Sequence, residues 1–155
     1  MSKSLARVRQ ALADLDLSAE VLNPGPSRTA QAAAEACGCA LDQIAKSLIF
    51  QTGSGEILLF LTAGGNRLHE AKAAALAGET LQRADAATVR AATGFAIGGV
   101  APIGHLGAAP RIFADPRLLD FETVYAAAGT PDHVIAAAPA ALFAACAAQT
   151  ADFIV

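Results

Sequence analysis

A lysine in the run Ile44-Ala45-Lys46-Ser47-Leu48-Ile49-Phe50 shares its alternation phase with Ile44, Leu48 and Phe50. Strands send successive side chains to opposite faces, so an ordinary solvent-facing lysine belongs beside Ser47 and Gln51. An unpaired ammonium taken out of water costs on the order of several kcal/mol. Lys46 is therefore expected either to snorkel to an edge or to meet an anion at the mouth of a cavity. The second outcome is chemistry: a fixed cation that anchors a phosphate or carboxylate.

A second segment, Gly98-Gly99-Val100-Ala101-Pro102-Ile103-Gly104, has the composition of a ligand-approaching loop. Paired glycines let the backbone come close to a ligand and aim amide hydrogens at it, and Pro102 stiffens the turn. Neither the Walker spacing nor GxGxxG is present, so this is no nucleotide-phosphate cradle of a known type. A plain tight turn is the competing reading. His105 and His133 are general-base candidates because imidazole titrates near neutrality, yet no Ser or Cys nucleophile lies in a recognisable setting. There is no GxSxG elbow, and Ser47 and Ser54 fall in strand and hairpin positions. His69 reads as a helix-surface residue, and the Asp14/Asp16 and Glu35/Asp42 pairs read as solvated positions. Cys37-Gly38-Cys39 is too tight for the usual zinc spacing and lacks a second pair, so no metal and no cofactor are expected. Arg67 and Lys72 form either the solvated face of a helix or the continuation of a phosphate track from Lys46.

The elements that must position these groups can be read from periodicity and punctuation. Leu5, Val8, Leu12 and Leu15 have helical spacing, predicting a helix from Ser4 to about Leu15 capped by Ser2 or Ser4. A short strand at Glu20 to Leu22 precedes the break Asn23-Pro24-Gly25-Pro26. Thr29 predicts an N-cap for a helix over Ala30 to Cys37 that stops at Gly38. Ile44 to Gln51 and Glu56 to Thr62 read as a hairpin joined by Thr52-Gly53-Ser54-Gly55. Further expected elements are a helix from about Leu68 to Leu76, a strand at Thr80 to Arg83 and an Asp85-capped helix to about Ala92. Phe95 to His105 reads as part strand and part glycine loop. Strands are expected at Arg111 to Ala114, Thr123 to Ala127 and His133 to Ala137, with a helix start at Asp115-Pro116 between the first two. Pro139 opens a helix to about Ala148, and Asp152 to Val155 would close the sheet. The irregular mixture lacks the period of a doubly wound fold and predicts an α+β domain, a curved mixed sheet flanked by helices.

The 155 residues suit a single domain over 1–155, enough to bury roughly two thirds of the unfolded surface. With 54% hydrophobic and 16% charged residues the chain is expected to be compact and not disordered. Its apolar stretches are cut by Gly, Pro or charge before the roughly 20 residues of a membrane span. A cytoplasmic protein with Cys37, Cys39 and Cys146 reduced is the expectation. A net charge of −3 excludes the broad basic surface that grips DNA duplexes, so any nucleic-acid contact must have a small footprint.

Four segments together resemble the YbaK family, free-standing relatives of the editing domain inserted in bacterial prolyl-tRNA synthetases. They are Ser27-Arg28-Thr29-Ala30-Gln31-Ala32-Ala33, Gln43 to Phe50, Gly98 to Gly104, and Ala127-Ala128-Gly129-Thr130-Pro131. Their order and separations match over most of the chain. The resemblance implies trans-editing: hydrolysis of the ester joining a small noncognate amino acid (Ala, Cys or Ser) to the 3′ end of a tRNA, with proline tRNA favoured and a prolyl-tRNA synthetase as a further partner. It implies Lys46, Gly98, Gly99 and Val100 as the catalytic set. Thr29, Ser47, Pro102, Gly129 and His133 would join Lys46 in binding substrate. Lys46 would sit near the phosphate and ribose of the terminal adenosine, amides near Gly99 and Val100 would meet the oxyanion, and a water would attack. No catalytic role passes to His105 or His133 from the resemblance. The alternatives are a non-catalytic binder of tRNA ends or of a synthetase with the same fold, and a small-molecule binder unrelated to tRNA.

Overall fold

Local punctuation sets most element ends in the computed structural model, which describes residues 2–155. The first helix, α1 (Lys3–Asp14), begins where the Ser2 hydroxyl accepts from the Leu5 amide at 3.2 Å, and it buries Leu5, Val8 and Leu12. In α2 (Ala30–Cys37) the Thr29 hydroxyl accepts from the Ala32 amide at 3.0 Å, and Gly38 closes the helix in the left-handed conformation. The next two helices, α3 (Glu70–Ala77) and α4 (Ala86–Thr93), likewise end at left-handed Gly78 and Gly94. Asp85 caps α4 as expected. His69 is exposed, as expected, but as the N-cap of α3, its Nδ1 accepting from the Lys72 amide at 3.3 Å, so the helix starts later than Leu68. The last helix, α5 (Pro139–Ala145), stops at Cys146, short of Ala148, because Ala147 turns to positive φ.

Eight strands form one mixed sheet: β1 (Glu20–Leu22), β2 (Ile44–Thr52), β3 (Ile57–Ala63), β4 (Leu81–Arg83), β5 (Arg111–Ala114), β6 (Val124–Ala127), β7 (Val134–Ala137) and β8 (Gln149–Thr150). Their order is β1-β7-β6-β2-β3-β5-β8, with β4 also paired to β2. This is the α+β architecture that the sequence predicts. The β2–β3 hairpin is antiparallel, with Lys46 opposite Thr62 and Leu48 opposite Phe60. On its other side β2 forks. It pairs with β6 in parallel at Ile44 and Ala45 and with β4 antiparallel from Phe50 to Thr52, leaving Lys46 to Leu48 without a strand on that side.

Alternation sorts the central strands onto two cores. Ala45, Ile49, Leu59, Leu61 and Ala63 join the larger cluster, which also takes in the apolar side of α1. Phe50, Leu58 and Phe60 join the smaller one beneath α3, with Phe113 and Phe153. Both faces of β2 are thus covered. Lys46 shares a face with Phe50 but lies at the uncovered seam.

Two strand expectations need correction. Phe95 to Gly104 carries Phe95, Val100, Ala101 and Ile103 buried, but it forms no strand. Gly98 has a φ of 91° and Gly104 one of 77°, conformations outside the strand region that reverse the chain. The sheet is closed by Gln149–Thr150 parallel to β5, and not by Asp152 to Val155, which contribute a lone bridge between Ile154 and Leu68.

Candidate functional site

The seam in β2 opens into a cavity of about 240 Å³. Its floor is Ile44, Ala45, Lys46 and Ser47, with Tyr125 to Ala127 of β6 beside them. One wall is the start of α2 from Ser27 to Ala30, another is Gly98 and Val100, and Thr130, Pro131, His133 and Val134 complete it. Four segments distant in sequence therefore converge because β2 is flanked by β6 over only part of its length.

Lys46 is held before any ligand arrives. Its Nζ donates to the Asn66 carbonyl at 2.8 Å. That carbonyl is itself fixed: Asn66 Nδ2 donates to Asp115 Oδ2 at 2.8 Å, and the same oxygen accepts from the Ala63 amide at 3.1 Å. Asp115 is buried, only 2% exposed. Asp42 accepts from the Gly65 amide at 2.8 Å on the same turn. A side chain at Gly64 would lie 2.1 Å from the Leu41 carbonyl oxygen, so only glycine lets the turn pack there. The pKa of Lys46 is lowered, first by loss of water and then by the Arg83 charge, with Asp42 and Asp115 pulling the other way. An ammonium has three donors and one is committed to Asn66, so two remain for an anion.

The glycine loop divides into residues that line the cavity and residues that do not. Gly98 and Val100 line the cavity. Gly99 does not, and its amide donates to the Ala96 carbonyl at 3.0 Å, closing a turn. Among the described residues no backbone carbonyl takes the Gly98 or Val100 amide. Of the three amides, those of Gly98 and Val100 are therefore without a backbone acceptor, and that of Gly99 is taken. A side chain at Gly99 would lie 3.1 Å from backbone atoms of Gly129 and Thr130, so these two turns pack main chain on main chain. Gly129 and Pro102 are not part of the lining.

Thr29, Ser47 and His133 do line the cavity. Thr29 reaches it while capping α2. His133 Nδ1 shares a 2.7 Å hydrogen bond with Thr130 Oγ1, which also accepts from the Asp132 amide at 3.2 Å. The Thr130 hydroxyl thus ties the His133 ring to the turn at the cavity wall. Ser27 and Ser47 carry buried hydroxyls with no hydrogen-bond partner. His105 lies elsewhere: its Nε2 donates to the Ala101 carbonyl at 2.7 Å, and burial pushes its pKa down.

Tyr125 is a lining residue that carried no motif signal, and Ser27 and Arg28, which open the first of the four motif segments, line the cavity although no role was expected of them. The signal for Tyr125 was alternation: Val124 and Ala126 point into the larger core, which sends Tyr125 to the other face. Lys72 is not free to continue a phosphate track, because it is bound to Asp152 at 3.0 Å and to the Ile154 carbonyl at 2.9 Å. Burial pushes the Cys146 thiol up to about 11, which makes it a poor nucleophile. The described residues hold no cluster of His, Cys, Asp and Glu suited to a metal. No helix among them is long and apolar enough to cross a membrane.

The two glycine positions respond differently to a methyl group. Gly129 has a φ of 97° and would place a Cβ 2.8 Å from the Ser4 carbonyl oxygen, whereas Gly98, at 91°, has open space above it. Gly98→Ala is expected to cost roughly 1–3 kcal/mol of backbone strain, and Gly129→Ala that strain plus the overlap. Urea unfolding of both variants checks this; equal midpoints would contradict it.

A family model described as an aminoacyl-tRNA editing domain matches residues 25–145. The chain is 34% identical over 113 residues to the uncharacterized protein YwhH of Bacillus subtilis (strain 168), spanning 73% of this chain and 71% of that one. It is similar to a crystal structure described as that of a candidate trans-editing enzyme for prolyl tRNA synthetase, with 41% identity, a TM-score of 0.92 and 100% and 99% of the two chains covered. A further crystal structure, of hypothetical protein APE2540, has 27% identity and a TM-score of 0.88 over 96% of this chain and 99% of that one.

Proposed function

We propose that this chain, which belongs to the aminoacyl-tRNA editing domain family, is a trans-editing deacylase that hydrolyses the ester between a small noncognate amino acid and the 3′ end of a tRNA. Alanine, cysteine or serine is the amino acid, and proline tRNA, with its synthetase in the cytoplasm, is the context. The observation that carries the reading is the pairing of Lys46, with two donors still available, and the uncommitted amides of Gly98 and Val100 across one small cavity.

Each part has a chemical task. Lys46 anchors the terminal phosphate or ribose, and its hold on Asn66 fixes where that anchor lies. The Gly98 and Val100 amides receive the charge that develops on the ester carbonyl as water adds, an effect worth about 3 kcal/mol per donor in comparable sites. The tetrahedral adduct then collapses, returning its proton to the ribose oxygen as the carbon–oxygen bond breaks. The reading takes water as the nucleophile and needs no acyl intermediate: no histidine bonds to Ser27 or Ser47, whose hydroxyls have no partner among the described residues. At about 240 Å³ the cavity falls below the ~300–1,000 Å³ of pockets for drug-sized ligands, which suits an aminoacyl ester. Size selection is needed because a synthetase pocket separates side chains differing by one methylene by only about 1–3 kcal/mol. The likeness to a candidate trans-editing enzyme for prolyl tRNA synthetase supports the choice of proline tRNA.

The deciding experiment is a deacylation panel of alanyl-, cysteinyl-, seryl-, threonyl- and prolyl-tRNA. At least one of the first three is expected to be discharged well above its spontaneous rate, with prolyl-tRNA spared. Binding of all five without turnover would replace the reading with a tRNA-end binder, and a panel neither bound nor discharged would remove the tRNA altogether.

A further inference from the structure

The loop that brings Gly98 and Val100 to the cavity is gripped at both ends by one side chain from outside it. Arg7, on α1, donates from Nη2 to the Gly94 carbonyl at 2.8 Å and from Nε to the Gly104 carbonyl at 3.3 Å. Its guanidinium lies over the Phe95 ring, 4.8 Å from the centroid. Among the described residues no carboxylate lies within salt-bridge distance of Arg7. The fork is therefore given over to the loop.

Three glycines make this approach feasible. A Cβ at Gly94 would lie 2.7 Å from Arg7 Nη2, one at Gly104 3.2 Å from the Arg7 carbonyl oxygen, and one at Gly129 2.8 Å from the Ser4 carbonyl oxygen. So α1 docks on the loop ends and on the Gly129 turn at near-backbone distance. From there Gly129 and Thr130 press on Gly99. His105 holds the middle of the loop through the Ala101 carbonyl, with its ring edge-on to Phe95 at 5.5 Å.

We infer that Arg7 is the positioning residue of the glycine loop, fixing the Gly98 and Val100 amides from the side away from the cavity. It does not line the cavity, and it lies outside the stretch 25–145 that the family model matches. The inference deepens the deacylase reading, on which its kinetic part rests. A planar fork holds its donors on separate nitrogens in a fixed geometry that bridges two carbonyls, whereas the donors of a lysine ammonium leave a single atom on a flexible stem. Donors that must meet a developing charge tolerate little displacement: about 1 Å of misplacement can cost on the order of 100-fold in rate.

The test uses the full chain with Arg7→Met, which keeps the apolar stem, and Arg7→Lys, which keeps the charge. For the best substrate of the panel, Arg7→Met is expected to lower kcat on the order of 10- to 100-fold with KM within about threefold of wild type. Arg7→Lys should fall between. Exchange of the Gly99 amide, which is bonded to the Ala96 carbonyl, should quicken roughly tenfold or more in Arg7→Met, with the amides of β2 and β3 unchanged. Should Arg7→Met fail to fold, Arg7→Lys carries both measurements. Wild-type kcat and wild-type loop exchange in the folded variants would overturn the inference, as would loss of protection throughout the sheet in step with the loop. If the wild type discharges no tRNA, the deacylase reading fails while exchange still decides whether Arg7 holds the loop.

Discussion

Lys46→Met is expected to lower kcat/KM for the deacylated substrate by roughly 100-fold, with a thermal midpoint close to wild type. Removing one member of a hydrogen-bonded charge pair formed at a partly desolvated site costs about 2–5 kcal/mol, and each ~1.4 kcal/mol is tenfold. The fold should not suffer in proportion. Lys46 is half-buried at a seam, its one internal bond is to a carbonyl, and the turn carrying that carbonyl is independently held by Asp115 and Asp42. Methionine keeps the stem, so the charge is what is tested. Steady-state kinetics beside thermal unfolding read both quantities; a variant with undiminished kcat/KM would remove Lys46 from the mechanism.

Phe60→Ala should produce the largest loss of stability, about 3–5 kcal/mol. Phe60 is fully buried and touches three other rings: Phe50 edge-on at 5.6 Å, Phe113 stacked at 5.5 Å and Phe153 edge-on at 5.0 Å. It joins β2, β5 and the C-terminal segment under α3, so its removal would open a gap at the centre of the smaller core. Against a typical total of about 5–15 kcal/mol, that is a large fraction. For a chain of this size the melting temperature should drop roughly 6–20 °C. Phe60→Leu should lose much less. Denaturant unfolding measures the difference, and a shift of under about 1 kcal/mol in Phe60→Ala would show that the smaller core collapses around the gap.

Local rules were legible because they act within a few residues. Thr29 and Gly38 bracket α2, Asp85 and Gly94 bracket α4, and Thr52 to Gly55 turn the hairpin, each through chemistry written in the adjacent sequence. The oddity of Lys46 was legible too, although for a partly different reason. Ser47 and Gln51 do not mark a solvent face, since Ile49 on their side joins the larger core. The lysine stands out because β2 is sandwiched and one stretch of it is uncovered. What escaped depends on distant partners. Buried Val100, Ala101 and Ile103 resemble a strand in hydropathy, but Gly98 bends them into a loop whose fixation comes from Arg7, far away in the chain. The pairing of Gln149 with Phe113 is parallel and non-local, so the weakly apolar end was misassigned to Asp152–Val155. That the Gly99 amide is taken by Ala96 is likewise invisible in a string of glycines.

The fork in β2 has a second consequence. A stretch of strand left without a neighbour is a template for another chain's strand, and natural sheets cover or charge such places to prevent polymerisation. Here the stretch begins at a lysine and is roofed by the loop before α2, which the Ser27 amide ties to the Pro131 carbonyl at 3.3 Å, and by Gly98 and Val100. The same roof that shapes the pocket therefore protects the protein from itself. Any change that loosened it to admit a bulkier ligand would also bare an adhesive edge, so colloidal stability as well as selectivity limits how far this pocket can widen.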